Sequence, residues 1–176
     1  RYLDVLKAPE DLIEQFRHCN VVINMAGIVP GVQVELGQNT AIAVAIQRAA
    51  IAANVRHTFH FSSQAIYGVG PGAFGENARP NPLSSYGRSK FDMENSLAEI
   101  SDNSTSLRVG NVAGADQLLG GLTPGVTPRL DHFSDGSTPI RNYIGPASLA
   151  AILVRLTQQV FAGTAMPRVL NVAAPD

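Results

Sequence analysis

The stretch that most constrains the fold runs from Phe59 to Glu94, FHFSSQAIYGVGPGAFGENARPNPLSSYGRSKFDME. It opens as an apolar strand, Phe59 to Phe61, and ends on two small polar residues, Ser62 and Ser63. A loop rich in Gly and Pro follows, and Tyr86-Gly-Arg-Ser-Lys90 then opens a helical segment reaching about Ile100. Other apolar runs suited to buried strands alternate with helical patterns along the chain. That alternation predicts an α/β fold with a doubly wound parallel sheet.

The same stretch carries the chemistry. Tyr86 and Lys90 are four residues apart, so on a helix they share one face. A free Tyr has a pKa of about 10 and is a poor base near neutrality. A fixed ammonium close by favours the phenolate and is expected to lower that pKa. A Ser hydroxyl brought in from the strand end, Ser63, can hydrogen-bond the same reacting oxygen. Such a Ser–Tyr–Lys set can move a proton on or off a carbinol oxygen. Tyr and Lys at this spacing also occur as plain helix surface. The strand ending in SSxxxYG, the acid Glu76 in the loop and Pro82 just upstream favour the chemical reading.

Composition narrows the setting. The 176 residues suit one domain with a sizeable core. Charged residues make up 15%, below the usual quarter or so, which predicts a largely buried chain or one face buried in a partner. A net charge of −1 gives no basic footprint for nucleic acid. The lone Cys19 cannot form an internal disulfide, and no Cys/His cluster suggests a metal. His57 and His60, three apart on a strand, face opposite sides and cannot chelate one ion together; His18 and His132 are isolated. No apolar run of roughly 18 residues predicts a membrane span. Arg1 begins no signal-peptide pattern, so a cytoplasmic setting is expected.

In chain order, Arg1 to Val5 reads as a strand tail, Ala8 to Arg17 as a short helix with Pro9 in its first turn, and Asn20 to Met25 as a buried strand. Thr40 to Ala53 is almost all Ala, Ile and Val, as in a helix buried on both sides, and Asn39 is placed to cap it. Val55 to Phe61 and Ser106 to Gly110 are further strands. Leu118 to Ser137 reads as loop, Ala147 to Phe161 as an amphipathic helix and Arg168 to Val172 as a last strand.

From about Asp4 to Asn171 the chain resembles the extended short-chain dehydrogenase/reductase family, in its NAD-dependent epimerase/dehydratase branch; UDP-galactose 4-epimerase is the best-known member. The resemblance implies a Rossmann-like NAD-binding domain over residues 1–115, a substrate-lobe loop region over 116–146, and a returning helix and strand over 147–176. It implies Ser63, Tyr86 and Lys90 as catalytic residues, with Tyr86 and Lys90 also contacting the cofactor. Asp4 and Val5 match the adenine-contacting pair. Met25, Ala26 and Gly27 match the strand end running under the cofactor, where a side chain would strike the ligand. Asn39 matches an Asn near the cofactor. Asn111, in a segment resembling RxxNxxG, and Arg141, in one resembling RDYIHVxDLA, match substrate-binding positions, and the planar fork of an arginine suits phosphate oxygens. Gly145 and Ser148 depart from that last pattern, standing where the family has His and Asp.

Two family features are missing. The Gly-rich turn that sets a pyrophosphate on a helix N-terminus is not in this sequence, and Arg1 falls where a third strand would be ending. The substrate lobe is also short, as are the loops between Ile28 and Asn39 and between Gly114 and Asp135. Either segments of a longer protein lie outside this sequence, or the chain starts mid-sheet and binds NAD poorly. The first is favoured, because the second leaves an apolar strand edge uncovered.

The function implied is that of a nucleotide-sugar epimerase or a related oxidoreductase using NAD, with NADP open. The sugar 4,6-dehydratases of this family carry an Asp–Glu pair where Gln64 and Ala65 stand, which argues against dehydration. The alternatives are a one-way sugar or carbonyl reductase or dehydrogenase, and a non-catalytic NAD(P)-binding protein of the same fold. The resemblance also implies a homodimer through the helices at 40–53 and 84–100.

Overall fold

The computed structural model describes residues 4–31, 34–70, 72–116, 122, 124–127, 132, 134–136, 138 and 140–174. Its centre is a four-stranded parallel sheet of β1 (Val21–Asn24), β2 (His57–Ser63), β3 (Ser104–Val109) and β6 (Val169–Val172), in that order across the sheet. The pairing runs Val21 to His57, Thr58 to Ser104 and Ser106 to Val169 at the starts of the three ladders. Parallel neighbours require crossovers, and these carry α2 (Gln38–Ala52), α3 (Ser85–Ile100) and α4 (Pro146–Phe161). A short α1 (Pro9–Phe16) precedes β1. A two-stranded parallel pair, β4 (Asn111–Val112) with β5 (Tyr143–Ile144), stands beside the sheet after β3.

The strands alternate between two apolar layers. Phe59, Leu107, Val109 and Val172 pack with Leu149, Leu156 and Val160 of α4. On the other side α2 meets α1 through Ile46, Ala49 and Leu12, and meets α3 through Ala43, Met93 and Leu97. β3 is buried at all six positions, as expected of a strand covered on both faces. Its polar residues are accommodated by partners: Thr105 Oγ1 donates to Pro167 O at 2.6 Å and pairs with the His57 ring at 2.9 Å.

Helix ends follow local chemistry. Pro9 and Pro146 occupy opening turns, where a missing N–H costs nothing. Ser84 caps α3 by accepting from Gly87 N at 3.0 Å. After α2 the chain turns at Asn54, whose φ of 57° is the left-handed conformation that an Asn tolerates. Among the described residues no helix is long and apolar enough to cross a membrane.

Several sequence expectations are adjusted. β2 runs through Ser62 and Ser63 instead of stopping at Phe61, because both serines pair with β3, at Arg108 and Val109. β3 begins at Ser104 rather than Ser106. Asn39 is not the cap of α2; Gly37 holds that position, without a side-chain bond. Asp4 and Val5 lie in a turn, while Arg1 to Leu3 of the expected strand tail, and most of the expected loop from Leu118 to Ser137, lie outside the described residues.

Candidate active site

The parallel strands all end at one edge, and the sequence-predicted catalytic residues meet there. Ser63 is the last residue of β2, and its Oγ accepts from Ala65 N at 3.1 Å, which folds the chain into a single 3-10 turn, Gln64–Ile66. Tyr86 stands in the first turn of α3, with the Ser63 side chain near enough to favour its phenolate. The turn and the helix touch closely, since a Cβ on Gly87 would lie 2.5 Å from Ala65 O. Lys90, one helical turn further along, is buried; its Nζ donates to Phe61 O at 3.0 Å and lies 5.9 Å from the Tyr86 ring centroid.

The electrostatics differ from the sequence expectation. Burial raises the Tyr86 pKa, and the neighbouring Ser63 hydroxyl opposes it. Desolvation of the phenolate therefore outweighs the help expected from the lysine, whose hydrogen bond goes to a backbone carbonyl. Lys90 itself is pushed down to about 8 by burial, with Glu94 acting in the opposite direction.

The loop after β1 forms the floor beside this trio. Met25, Ala26 and Gly27 are exposed, and Met25 shows 63% of its surface. A Cβ on Gly27 would come within 2.8 Å of Asn39 Oδ1 and 3.1 Å of Lys90 Nζ. The chain's own side chains thus demand a glycine here, independently of any ligand. Asn39 is 1% exposed and its amide is engaged within the chain: Oδ1 accepts from Ile28 N at 2.9 Å, while Nδ2 donates to Ile28 O at 3.0 Å and Ser89 Oγ at 3.2 Å. It holds the floor loop against α2 and α3, which corrects the expectation that it caps the helix and gives it an indirect part at the site.

Other predicted site residues sit further out. Asn111 lies in β4 and its Nδ2 donates to Asn142 O; Asn142 in turn donates to Gln64 Oε1, which links this strand pair to the turn after Ser63. Arg141 is exposed beside it. Asp4 forms an ion pair with Lys7 at 3.1 Å, which lowers its pKa, and accepts from Leu6 N. Val5 packs on the α1–α2 cluster. Among the described residues no contact joins Asp4 or Val5 to the Ser63–Tyr86–Lys90 group.

Two buried networks that sequence reasoning did not assign support the site. His60 is fully buried, with Nδ1 accepting from Asn24 Nδ2 and Nε2 bonded to Gln47 Oε1, both at 3.0 Å. Those partners require the neutral ring with its proton on Nε2. Burial, reinforced by the Lys90 charge and His57, holds its pKa near 3. Asn24 Oδ1 then accepts from Ala26 N at 3.0 Å, so this chain of bonds ends on the floor loop. The second network runs from Ser62 through Glu94, Arg108 and Tyr67 to Asn171. Tyr86, Lys90 and Glu94 recur at four-residue steps on α3, and that spacing was the available signal for Glu94.

The family model for the NAD dependent epimerase/dehydratase family matches residues 2–173. The chain belongs to this family. The same architecture is found in UDP-glucose 4-epimerase from Brucella ovis in complex with NAD, with a TM-score of 0.78 and 21% identity over 98% of this chain and 63% of that one. UDP-N-acetylglucosamine 4-epimerase from Bacillus cereus aligns at a TM-score of 0.73 and 16% identity, covering 100% of this chain and 64% of that one. A hypothetical dTDP-4-dehydrorhamnose reductase from Sulfolobus tokodaii gives 0.75 and 19%, covering 99% and 63%. The chain therefore spans less than two thirds of the length of each. No curated protein matches the sequence. These neighbours share the fold and are named for different activities.

Proposed function

We propose that this chain carries the proton-transfer site of an NAD-dependent nucleotide-sugar epimerase or a closely related oxidoreductase. The observation that carries the reading is the packing of the turn after Ser63 against the first turn of α3, which carries Tyr86, with the Lys90 amine 5.9 Å from the Tyr86 ring centroid at the strand-end edge of a parallel sheet. Ligands in open α/β sheets bind at that edge.

The floor fits a dinucleotide. Met25, Ala26 and Gly27 form a bare surface, and the Lys90 ammonium has three donors with one hydrogen bond among the described residues. Its remaining donors suit ribose hydroxyls. Met25 to Gly27, Tyr86 and Lys90 would hold the cofactor, with Asp4 and Val5 at its adenine end and Asn39 fixing the floor. When bound, the nicotinamide supplies and accepts hydride. Tyr86 accepts the proton of a sugar hydroxyl or returns it, and Ser63 hydrogen-bonds the same oxygen. Asn111 and Arg141 hold the nucleotide part of the substrate. The reading includes a cytoplasmic homodimer through α2 and α3.

A second reading, one-way reduction of a sugar or another carbonyl, draws on the raised pKa of Tyr86. A phenol kept protonated near neutrality is suited to giving its proton to an oxygen that is being reduced. Turnover of UDP-sugars with NAD separates the two: an epimerase interconverts sugars without net absorbance change at about 340 nm, whereas a reductase or dehydrogenase changes it stoichiometrically. Tyr86→Phe is expected to abolish turnover while leaving NAD affinity within a few-fold. Full turnover in that variant defeats the proton-transfer reading, whereas NAD binding without turnover in the unsubstituted protein leaves a non-catalytic NAD(P)-binding role.

A further inference from the structure

Lys90, Glu94 and Arg108 are the Lys, Arg, Asp and Glu side chains that are buried among the described residues. One carboxylate therefore stands among two buried cations. Its position is tightly defined: Glu94 Oε1 accepts from Ser62 Oγ at 2.6 Å and from Arg108 Nε at 3.1 Å, and Oε2 accepts from Arg108 Nη2 at 2.7 Å. Arg108 is held in turn by the Tyr67 hydroxyl at 2.8 Å and lies over the Tyr67 ring, so the acid cannot swing away. Ser62 directly precedes Ser63 on β2. Glu94 lies one helical turn beyond Lys90 on the same face of α3.

We propose that Glu94 is a positioning residue for the Tyr86–Lys90 pair: pinned by Ser62 and Arg108, its carboxylate fixes both the strand tip that carries Ser63 and the charge on the Lys90 ammonium. The inference rests on the function proposed for Tyr86 and Lys90. Two cations near one acid would leave the lysine short of counter-charge if that acid were mobile, and burial already favours its neutral form. The other titratable or charged groups on the elements packed against α3 are few. β2 presents His57 and His60, both held neutral by burial, and β3 presents Arg108. Arg48 of α2 is exposed, as are Arg88, Asp92 and Glu99 of α3 itself, and Tyr86 is uncharged below its raised pKa. Glu94 is thus the buried anion available to Lys90.

The test follows the Lys90 side-chain resonance with pH in the 13C-lysine-labelled full protein, assigned by its loss in Lys90→Arg. The expected midpoint is about 8 in the unsubstituted protein. In Glu94→Gln it falls by ~0.5 unit or more, and in Glu94→Asp, which keeps the charge, it stays closer to the starting value. Because Glu94→Gln leaves Arg108 without its partner, the double variant Glu94→Gln/Arg108→Met repeats the measurement without a buried lone cation, and a smaller fall in the same direction is expected, since one neighbouring cation is removed with the acid. An unmoved midpoint in Glu94→Gln, or in the double variant if the single one does not fold, overturns the proposal. The readout needs no turnover, so it stands or falls separately from the effect of Tyr86→Phe on activity.

Discussion

Replacing Gly27 with alanine distinguishes two reasons for a bare backbone at the cleft floor. If a side chain there struck only the ligand, stability would be unchanged and NAD affinity alone would fall. The structure gives a different expectation, because the new Cβ would stand 2.8 Å from Asn39 Oδ1 and 3.1 Å from Lys90 Nζ. Neither neighbour can retreat freely: Asn39 is held by bonds to Ile28 and Ser89, and Lys90 by its bond to Phe61 O. Overpacking of this kind costs about 1–3 kcal/mol. Displacing the Asn39 amide adds about 1 kcal/mol for the Ile28 hydrogen bond. A total of about 2–4 kcal/mol corresponds to a fall in Tm of ~4–16 °C for a chain of this size. Urea unfolding of Gly27→Ala, Asn39→Ala and the double variant isolates the clash, since removing the Asn39 amide vacates the shorter contact. The cost of Gly27→Ala is therefore expected to shrink by ~1 kcal/mol or more in the Asn39→Ala background. Equal cost in both backgrounds, or an unchanged Tm in the single variant, refutes the reasoning.

Further outcomes follow from the buried networks. Burial lowers the pKa of His57 to about 4 and of His60 to about 3, against about 6.5 when unfolded. The unfolded chain then binds more protons between those values, so this contribution is complete above about pH 6.5 and is lost as pH falls towards the folded values, at up to about 1.4 kcal/mol per pH unit for each ring. Urea midpoints from pH 7.5 to 4.5 test this, and His57→Gln should flatten the slope. Arg108→Met strands the buried Glu94 carboxylate and is expected to cost about 3–5 kcal/mol, with Glu94→Gln/Arg108→Met costing less; equal losses in calorimetry would contradict the pairing. Tyr67→Phe removes the hydroxyl between Arg108 and Asn171 and is expected to cost about 1–3 kcal/mol by chemical denaturation, with no loss of the stacking of ring 67 on Phe74.

Much of the framework was legible because it depends on local pattern. The apolar run of Ala, Ile and Val gave α2, the segment opening at Tyr86 and reaching about Ile100 gave α3, and alternation of strand and helix gave a parallel sheet. The Tyr86–Lys90 spacing put both residues on one face without reference to anything distant. What escaped depends on residues far apart in the chain. The strand before the serines read as stopping at Phe61 because the pairing of Ser62 and Ser63 with Arg108 and Val109 is invisible locally. Asn39 read as a cap because its partners, Ile28 and Ser89, come from other elements. The Tyr86 pKa was misjudged because spacing reports the nearness of an ammonium and says nothing of how much water is removed from the phenol.

The order of the sheet also governs how the chain finds its fold. Each ladder joins segments separated by a helix and its loops, from Val21 with His57 to Ser106 with Val169, and none can be started by a tight hairpin. Contacts of such long sequence separation make folding slow, because loop entropy is lost before any pairing is gained. β6 has the longest return to make, so the wall behind Tyr67 and Asn171 is expected to close late, and until then the edge of β3 stands open to other chains.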